Sequence, residues 1–268
     1  MNKITLIRER GLKDVTYFML YYLSARFKSL KKVNKSENYR KYFKGKSGLE
    51  IGGPSKVFTS SGQLPIYDVM ARLDNINYSD DTAWTGKINS DKEYRAGKST
   101  HGKQFILDAM DLTKIKPKSY DFVISSNNLE HLANPLEVIK QAKRLVVSGG
   151  VILVVAPKKQ SNFDHRRKIV DFEHLVRDYK AKTKEDDLTH LEEILECHDL
   201  RFDLAAGSRD NFIKRSKKNI KFRCLHHHVF DEKVLRKIYR FSGLSVIMTA
   251  QTNNDYIILG KTTKARKI

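Results

Sequence analysis

The chain has 268 residues, of which 51 are lysine or arginine and 31 are aspartate or glutamate, so its formal net charge is +20. This length accommodates one elaborated domain with a sizeable core. The two cysteines, Cys197 and Cys224, exclude a disulfide framework and a cysteine-spaced zinc site, and a reducing, cytoplasmic setting is expected. No apolar run reaches the length of a membrane span, and residues 1–10 lack the core of a signal peptide.

Residues 1–47 are predicted to form a basic helical extension. The apolar stretch 15–23 favours a helix, and lysines and arginines follow it. An aromatic helix with a basic flank is able to lie on an anionic membrane surface. Packing of the helix against the main domain is the preferred interpretation. The excess positive charge indicates an anionic partner, which is nucleic acid, a membrane surface or an acidic substrate.

A glycine turn follows the first predicted strand. Leu49, Glu50 and Ile51 read as a buried strand that breaks at Gly52 and Gly53, where the missing side chains allow a ligand to approach the backbone. On this stretch alone, a packing turn without a ligand is equally consistent. Residues 54–58 are predicted to open a helix, because proline suits a first helical turn.

A second informative stretch covers residues 120–157. A buried strand over 121–126 ends at Asn127 and Asn128, and Leu-Glu-His follows. Residues 135–147 have apolar positions at helical spacing, and 151–156 are almost entirely aliphatic, as in a strand buried on both faces. Ligands of open parallel sheets bind outside the carboxyl ends of the strands, so the two asparagines are candidate ligand-binding residues.

Together the two stretches resemble the class I S-adenosylmethionine-dependent methyltransferases, specifically the type 11-like group with Leu-Glu-His after the fourth strand and Gly-Gly before the fifth. The resemblance implies S-adenosylmethionine (SAM) as cofactor. It also implies an α/β fold, a Rossmann-like doubly wound and mostly parallel sheet of seven strands with an antiparallel last strand. The predicted divisions are the extension, a SAM-binding core over 48–157, a helical cap insertion over 158–230 that binds the acceptor, and a last helix and two strands over 231–268.

The resemblance also assigns cofactor-binding residues. Of the family's Gly-x-Gly-x-Gly pattern only Gly52 and Gly53 are present, and Glu50 is expected to reach the turn and the methionyl end. The remaining assignments are Asp108 for the exocyclic amine of adenine, Ala109 and Met110 for its ring, and Asn127 for the cofactor mouth.

A ribose-binding acid is expected about 20 residues after the glycines. Asp74 is preferred over Asp68 because it lies just beyond an apolar run, although either residue also suits a plain turn. Residues 75–103, which include Trp84, are too long for an ordinary connection and are predicted to be a lid or a partly flexible insertion. His131 is expected to brace the following helix rather than to act as a base.

The cap segment concentrates histidines and acids. These groups are Asp164 to Arg167, Glu173 and His174, Glu185 to Asp187 with His190, and His226 to His228. Three roles are open for the histidines, namely metal ligands, acid/base groups and buried structural residues. We assign no metal ligand and take His165, beside Asp164, as the candidate catalytic base for an acceptor hydroxyl.

The predicted reaction is therefore SAM-dependent methylation of a small molecule or glycan precursor at oxygen. The glycan expectation rests on a resemblance of the cap's histidine-containing segments to methyltransferases associated with surface-polysaccharide synthesis. Two alternatives stay open: an RNA methyltransferase, and a non-catalytic basic nucleic-acid-binding protein on a Rossmann-like scaffold, to which the basic run 214–223 would contribute. Methylation of a base nitrogen is disfavoured, because Ser126 to Leu129 lacks the Asn-Pro-Pro-Tyr type of tetrad.

Overall fold

A computed structural model describes residues 11–17, 19–20, 32–82, 86–88, 93–97 and 100–263. Its centre is an eight-stranded sheet with the order β5-β6-β2-β1-β7-β8-β10-β9. The strands are β1 Ser47–Ile51, β2 Arg72–Asn77, β3 Asp81–Thr82, β4 Gly86–Lys87, β5 Glu93–Ala96, β6 Thr100–Ile106, β7 Tyr120–Ser126, β8 Val146–Pro157, β9 Leu244–Gln251 and β10 Asp255–Thr262. Strands β3 and β4 form a separate small hairpin.

The predicted fold class is confirmed. Strand β1 pairs in parallel with β2 and β7, and the parallel pairing continues to β6 on one side and β8 on the other. The last strand, β10, runs antiparallel to β8 and β9. The sheet has one strand more than predicted, because β5 adds an antiparallel edge strand to β6.

Helices and the N-terminal segment cover the sheet. The helices are α1, which includes residues 11–17, α2 Ser36–Arg40, α3 Pro135–Leu145, α4 Phe172–Ala181, α5 Leu191–Cys197, α6 Arg209–Ser216, α7 Asn219–Phe222 and α8 Glu232–Phe241. Asn134 caps α3 by accepting a hydrogen bond from the Glu137 amide at 3.1 Å, and Pro135 occupies the first turn. Helix α3 therefore begins where the sequence predicts.

The two faces of the sheet are buried differently. Helices α3, α4 and α8 cover one face, where Leu136, Leu145 and Leu235 are fully or almost fully buried. Residues 33–70 cover the other face, and Phe43 packs edge-on against Phe122 with 5.0 Å between ring centroids. The burial of these aromatic and aliphatic groups is the main favourable term in the stability of the domain.

The segment after the glycine turn differs from the prediction. Only one 3-10 turn, Lys56–Phe58, follows the turn, where the sequence predicts the start of a helix. The chain folds back because the Ser55 amide donates to the Tyr67 hydroxyl at 2.7 Å and the Leu64 amide donates to the Val57 carbonyl at 2.9 Å. These bonds hold Phe58 in the core instead of letting a helix continue.

Residues 75–103 are partly built into the sheet. They supply the end of β2, the β3–β4 hairpin, all of β5 and the start of β6, so the third parallel strand begins before the predicted Phe105. Trp84 lies outside the described residues. At the N-terminus, Tyr17 of α1 packs edge-on against Phe202 with a centroid distance of 5.7 Å. Within the described residues, no helix is both long and apolar enough to cross a membrane.

Candidate active site

A cavity of about 380 Å³ lies at the carboxyl ends of β1, β2 and β7, where the fold is expected to bind a ligand. Its volume is within the usual range for small-molecule sites. The wall consists of Ile51, Gly52, Pro54 to Val57, Ile76 to Tyr78, Thr82, Leu107, Ala109, Ser126 to Asn128, His131, Leu132 and Arg223. Strand β1, the residues at the end of β7 and the cap thus contribute to one cavity.

The glycine turn forms one wall of this cavity. Gly52 has a φ of 78°, and a Cβ on it would lie 2.4 Å from the Nδ2 atom of Asn128. Gly53 lies behind the wall, where its amide donates to the Asn75 side chain at 2.9 Å and a Cβ would lie 2.3 Å from the Glu50 carboxyl carbon. Both positions require glycine, but only Gly52 borders the cavity.

Glu50 supports the turn from inside the core. Its carboxylate accepts hydrogen bonds from the hydroxyls of Ser55 at 2.6 Å, Tyr67 at 2.7 Å and Tyr94 at 2.7 Å. Burial raises the pKa of Glu50, while these three hydroxyls oppose the rise. The acid reaches the turn, as expected, but does not line the cavity.

Two asparagines form the wall at the end of β7. Asn127 adopts a φ of 47°, and its amide donates to the Val155 carbonyl at 2.9 Å. Asn128 also lines the cavity, and its Oδ1 atom is buried without a hydrogen-bond partner among the described residues. A buried amide oxygen without a partner, on a residue of the cavity wall, is costly unless a ligand or a water molecule donates a hydrogen bond to it.

The position of Asp74 does not support the predicted ribose contact. Asp74 lies within β2, only 3% exposed, and its carboxylate accepts from Arg72, from the Lys103 amide at 2.8 Å and from the Tyr120 hydroxyl at 2.8 Å. The alternative, Asp68, is paired with Arg40 at 2.9 Å outside the cavity. The strand end that borders the cavity carries Asn77 instead.

The adenine-site residues divide between the cavity and its rim. Ala109 lines the cavity, whereas Asp108 and Met110 line the adjacent one. The Asp108 carboxylate accepts from the Met110 amide at 2.9 Å and from the Arg223 guanidinium at 2.7 Å. Arg223 also lies over the Tyr78 ring at 4.8 Å, so this arginine connects the cap to the core at the cavity edge.

The predicted catalytic residues, Asp164 and His165, bond to different partners and not to each other. His165 is 30% exposed and contacts Asp199 through Nε2 at 3.0 Å, and neither His165 nor Asp164 lines the cavity. Asp164 is buried and bonds instead to the Nδ1 atom of His226, and to Arg167 at 3.2 Å. These contacts lower the pKa of Asp164, through His226 first, against the effect of burial. His165 therefore has no position from which it reaches the cavity.

Among the described residues, His131 is the only histidine that lines the cavity. Its Nδ1 atom lies 3.1 Å from the Leu225 carbonyl, and its ring packs edge-on against His226 with 4.4 Å between centroids. Burial lowers the pKa of His131 well below its usual range, and the nearby His226 adds to this effect. Glu130 is buried next to it, and burial raises the pKa of Glu130 to about 7.

Several wall residues escape prediction from sequence. Asn77 had only a weak signal, because it ends β2, a strand in which only Leu73 and Ile76 are apolar. Tyr78 and Arg223 had none, since the contact between them joins positions far apart in the chain. Part of the basic run 214–223 is neutralised within the protein, because Arg215 pairs with Asp203 at 2.5 Å and Arg223 pairs with Asp108.

The fold and this cavity define a class of SAM-binding methyltransferases, and the sequence comparison agrees. Residues 23–205 match a family model described as "Methyltransferase domain". Because the match spans more than half of the chain, the protein belongs to this family and is a class I SAM-dependent methyltransferase, with SAM as its cofactor. No curated protein matches the sequence significantly.

Several solved structures are similar to this chain. One is the carbon methyltransferase CurJ, at 12% identity and a TM-score of 0.43, where the match covers 82% of this chain and 49% of that one. A SAM-dependent methyltransferase from Methanosarcina mazei has 12% identity, coverages of 87% and 99% and a TM-score of 0.48. An O-methyltransferase family protein from Burkholderia thailandensis has 11% identity, coverages of 97% and 62% and a TM-score of 0.44. These similarities carry no information on the acceptor.

The wall residues fit SAM. A Cβ on Gly52 would clash with Asn128 in the wall, the buried Oδ1 of Asn128 lacks a partner among the described residues, and apolar groups of Ile76, Leu107 and Ala109 line an apolar region of the cavity. A zwitterionic amino-acid end and a flat purine are complementary to such a polar wall and apolar region, respectively.

Proposed function

We propose that this methyltransferase acts on a hydroxyl group of a small molecule or glycan precursor. The observation that carries the proposal is the position of His131 in the wall of the cofactor cavity, with Nδ1 held by a backbone carbonyl. A base is needed mainly for a hydroxyl acceptor, because a hydroxyl must lose its proton as the new bond forms. His131 replaces His165 as the proposed base.

The cofactor contacts follow from the cavity wall. We assign the amino-acid end to the turn at Gly52 and to Asn127 and Asn128, and the ribose to Asn77 at the end of β2. Ala109 contacts the adenine, with Asp108 and Met110 at its rim. Glu50 and Gly53 act indirectly, because they shape the turn. When bound, SAM supplies a methyl group activated by its positively charged sulfur.

The hydrogen bond of His131 determines which of its nitrogens is basic. The Leu225 carbonyl only accepts, so in the neutral imidazole Nδ1 carries the proton and Nε2 carries the lone pair. The lowered pKa keeps the ring neutral near pH 7, so the lone pair is present under working conditions. His131 therefore takes up the acceptor proton at Nε2, while the fixed orientation of the ring limits the loss of entropy on reaction.

Buried charges behind His131 hold it in place. His226 packs against the His131 ring and is bonded to Asp164, which Arg167 also contacts. His226 and Asp164 are positioning residues, because neither borders the cavity. Glu130 is buried beside them, with one carboxylate oxygen within 4.8 Å of a ring nitrogen of both His131 and His226.

The test combines cofactor binding with a survey of acceptors. Transfer of labelled methyl groups from SAM would be measured on nucleotide-activated sugars, free hexoses, catechols, primary amines and total RNA, with mass spectrometry locating the methylated atom. We expect transfer to a hydroxyl group of a sugar or other small molecule. With that acceptor, His131→Asn should lower kcat by about 10²–10⁴-fold with the affinity for S-adenosylhomocysteine unchanged.

His165→Asn is the matched control and should retain the wild-type rate, because His165 lies outside the cavity wall. Transfer confined to amines or to RNA would contradict the proposal. So would a His131→Asn variant that binds S-adenosylhomocysteine and turns over at the wild-type rate.

A further inference from the structure

Three histidines and one aspartate of the cap converge away from the cofactor cavity. His174 and Asp178 lie one turn apart on α4, His190 immediately precedes α5, and His228 lies in the segment before α8. Each histidine offers one ligand atom, and the three atoms lie within 4.8 Å of one another. Three separate chain segments therefore meet at one group of metal-ligating side chains.

The spacing of these donors matches a four-coordinate metal. The Nε2 atoms of His174 and His190 are 2.9 Å apart, and the Oδ2 atom of Asp178 lies 3.2 Å from His174 Nε2. Zinc bonds of about 2.0–2.1 Å in a tetrahedron place neighbouring donor atoms about 3.3 Å apart. Both distances lie close to this value.

Two buried atoms of this cluster lack hydrogen-bond partners among the described residues, namely Oδ2 of Asp178 and Nδ1 of His228. The other oxygen of Asp178 accepts from the Thr183 hydroxyl at 3.3 Å, and the other nitrogen of His228 lies 3.2 Å from the Ala133 carbonyl. Metal-ligating histidines and carboxylates commonly have this arrangement, with one atom on the metal and the other hydrogen-bonded to the protein. Buried polar atoms without any partner are otherwise costly.

Three basic residues, Arg167, Lys168 and Arg177, border a cavity of about 270 Å³ that the three histidines also line. The Arg167 guanidinium is bonded to Asp164 and Glu193, so its charge is paired. Arg177 lies at the edge, with Nη2 3.5 Å from His174 Nδ1. The second group of donors, Glu130 with His131 and His226, provides three donors rather than four, and both of its histidines are bonded through Nδ1.

We propose that His174, Asp178, His190 and His228 bind one zinc ion or a similar divalent transition metal. Four protein ligands leave no open position, which is typical of a structural site. The ion ties α4, the start of α5 and the segment before α8 together. Because the His228 amide contacts the Glu130 carbonyl at 3.4 Å, it also fastens the cap to the loop after β7 that carries His131.

The experiment uses the full chain without a histidine tag. Metal content would be measured by elemental analysis of the protein as isolated, and zinc chloride would be titrated calorimetrically into chelator-treated protein. We expect one zinc per chain and a higher Tm with zinc. His190→Gln and Asp178→Asn should weaken zinc binding by at least about 100-fold, since each removes a ligand from a closed site. Half-buried His190 is a position where glutamine is accommodated without refolding the core.

Two control variants locate the metal. His165→Gln lies outside both clusters and His226→Gln lies in the other one, and both should retain one zinc per chain. Cobalt substitution of the wild type should give the intense visible absorption of a four-coordinate site, which tests the geometry even if a variant fails to fold. Three outcomes would overturn the proposal: no zinc binding at micromolar concentrations, loss of zinc in His226→Gln but not in His190→Gln, or the weak cobalt spectrum of a six-coordinate site.

Discussion

The core side and the cap side of the cofactor cavity are built from different chemistry. The core side consists of a glycine turn, two asparagines and apolar strand ends, all within a short stretch of each of three strands. On the cap side and behind it lie Arg223, His226 and Asp164, and buried ion pairs connect them to distant positions. The core side is thus built from short local stretches of the chain, whereas the cap side depends on contacts between residues far apart in the sequence.

The largest expected effect on stability comes from removing a buried charge of the cap. Asp164→Asn should lower the free energy of unfolding by about 3–5 kcal/mol, because it leaves His226 and Arg167 buried beside a neutral group. Urea denaturation followed by circular dichroism measures the change. The exposed pair Glu232 and Arg236 is the matched control, since breaking a surface pair with Glu232→Gln should change stability by less than about 1 kcal/mol. If Asp164→Asn and Glu232→Gln lowered the free energy of unfolding equally, the cap would not depend on its buried ion pairs.

The core side is tested at the glycine turn. Gly52→Ala should weaken binding of S-adenosylhomocysteine by about 100-fold, or about 2.7 kcal/mol, because the new Cβ displaces the Asn128 side chain into the cavity. Gly45→Ala is the matched control: Gly45 has a similar φ of 68°, but nothing lies within 4 Å of the added Cβ. The Gly45→Ala variant should be less stable than wild type but should bind S-adenosylhomocysteine with unchanged affinity, and calorimetry distinguishes the two effects. Equal affinities in the two variants would remove Gly52 from the site.

The core was predictable because its signals are local. The strands at residues 49–51, 121–126 and 151–156 and the start of α3 follow from apolar runs, glycines and one cap, and each is present. Strand β8 begins earlier than predicted, at Val146, where the sequence predicts the last turn of α3. The helix expected after Pro54 was wrong because Ser55 bonds to Tyr67, a residue outside that segment. The sequence of residues 54–58 alone does not indicate that Tyr67 is a partner.

The site was less predictable because adjacency in sequence is not adjacency in space. Asp164 stands next to His165, yet its partner is His226, 62 residues away. Asp74 has the expected spacing, but the register of β2 buries it three residues before the strand end. The sequence leaves a metal role open for the cap histidines without assigning ligands, because only the fold brings the four proposed ligands together.

A pH-dependent test concerns Asp255, which is buried at the start of β10. Burial raises its pKa to about 6, so the folded state favours the protonated acid. The sign follows from linkage: the contribution of Asp255 is most favourable below its unfolded pKa near 4 and is lost as the pH rises through 6. Asp255→Asn should therefore be more stable than wild type by about 2 kcal/mol at pH 8 and nearly equal to it at pH 4.

Denaturation at a series of pH values checks this expectation. The control is Glu232→Gln, whose wild-type carboxyl has a lowered pKa owing to Gln251 and Arg236, so its effect should have the opposite sign. If Asp255→Asn were less stable than wild type at pH 8, the Thr252 hydroxyl at 3.2 Å and Lys158 would stabilise the carboxylate by more than burial destabilises it.

The smallest expected effect concerns Arg223, with which the cap contacts the rim of the proposed adenine site. Arg223→Ala removes an ion pair with Asp108 and a contact with the Tyr78 ring, and its side chain is only 14% exposed. The affinity for S-adenosylhomocysteine should fall by about 5- to 10-fold, or about 1 kcal/mol, because the rim loses order rather than a direct ligand contact. Arg215→Ala breaks a comparable pair within the cap and should leave that affinity unchanged, because Arg215 does not line the cavity. If both substitutions weaken binding equally, the cap acts as one rigid unit. An effect at Arg223 alone assigns the loss of affinity to the contacts of Arg223 with Asp108 and Tyr78.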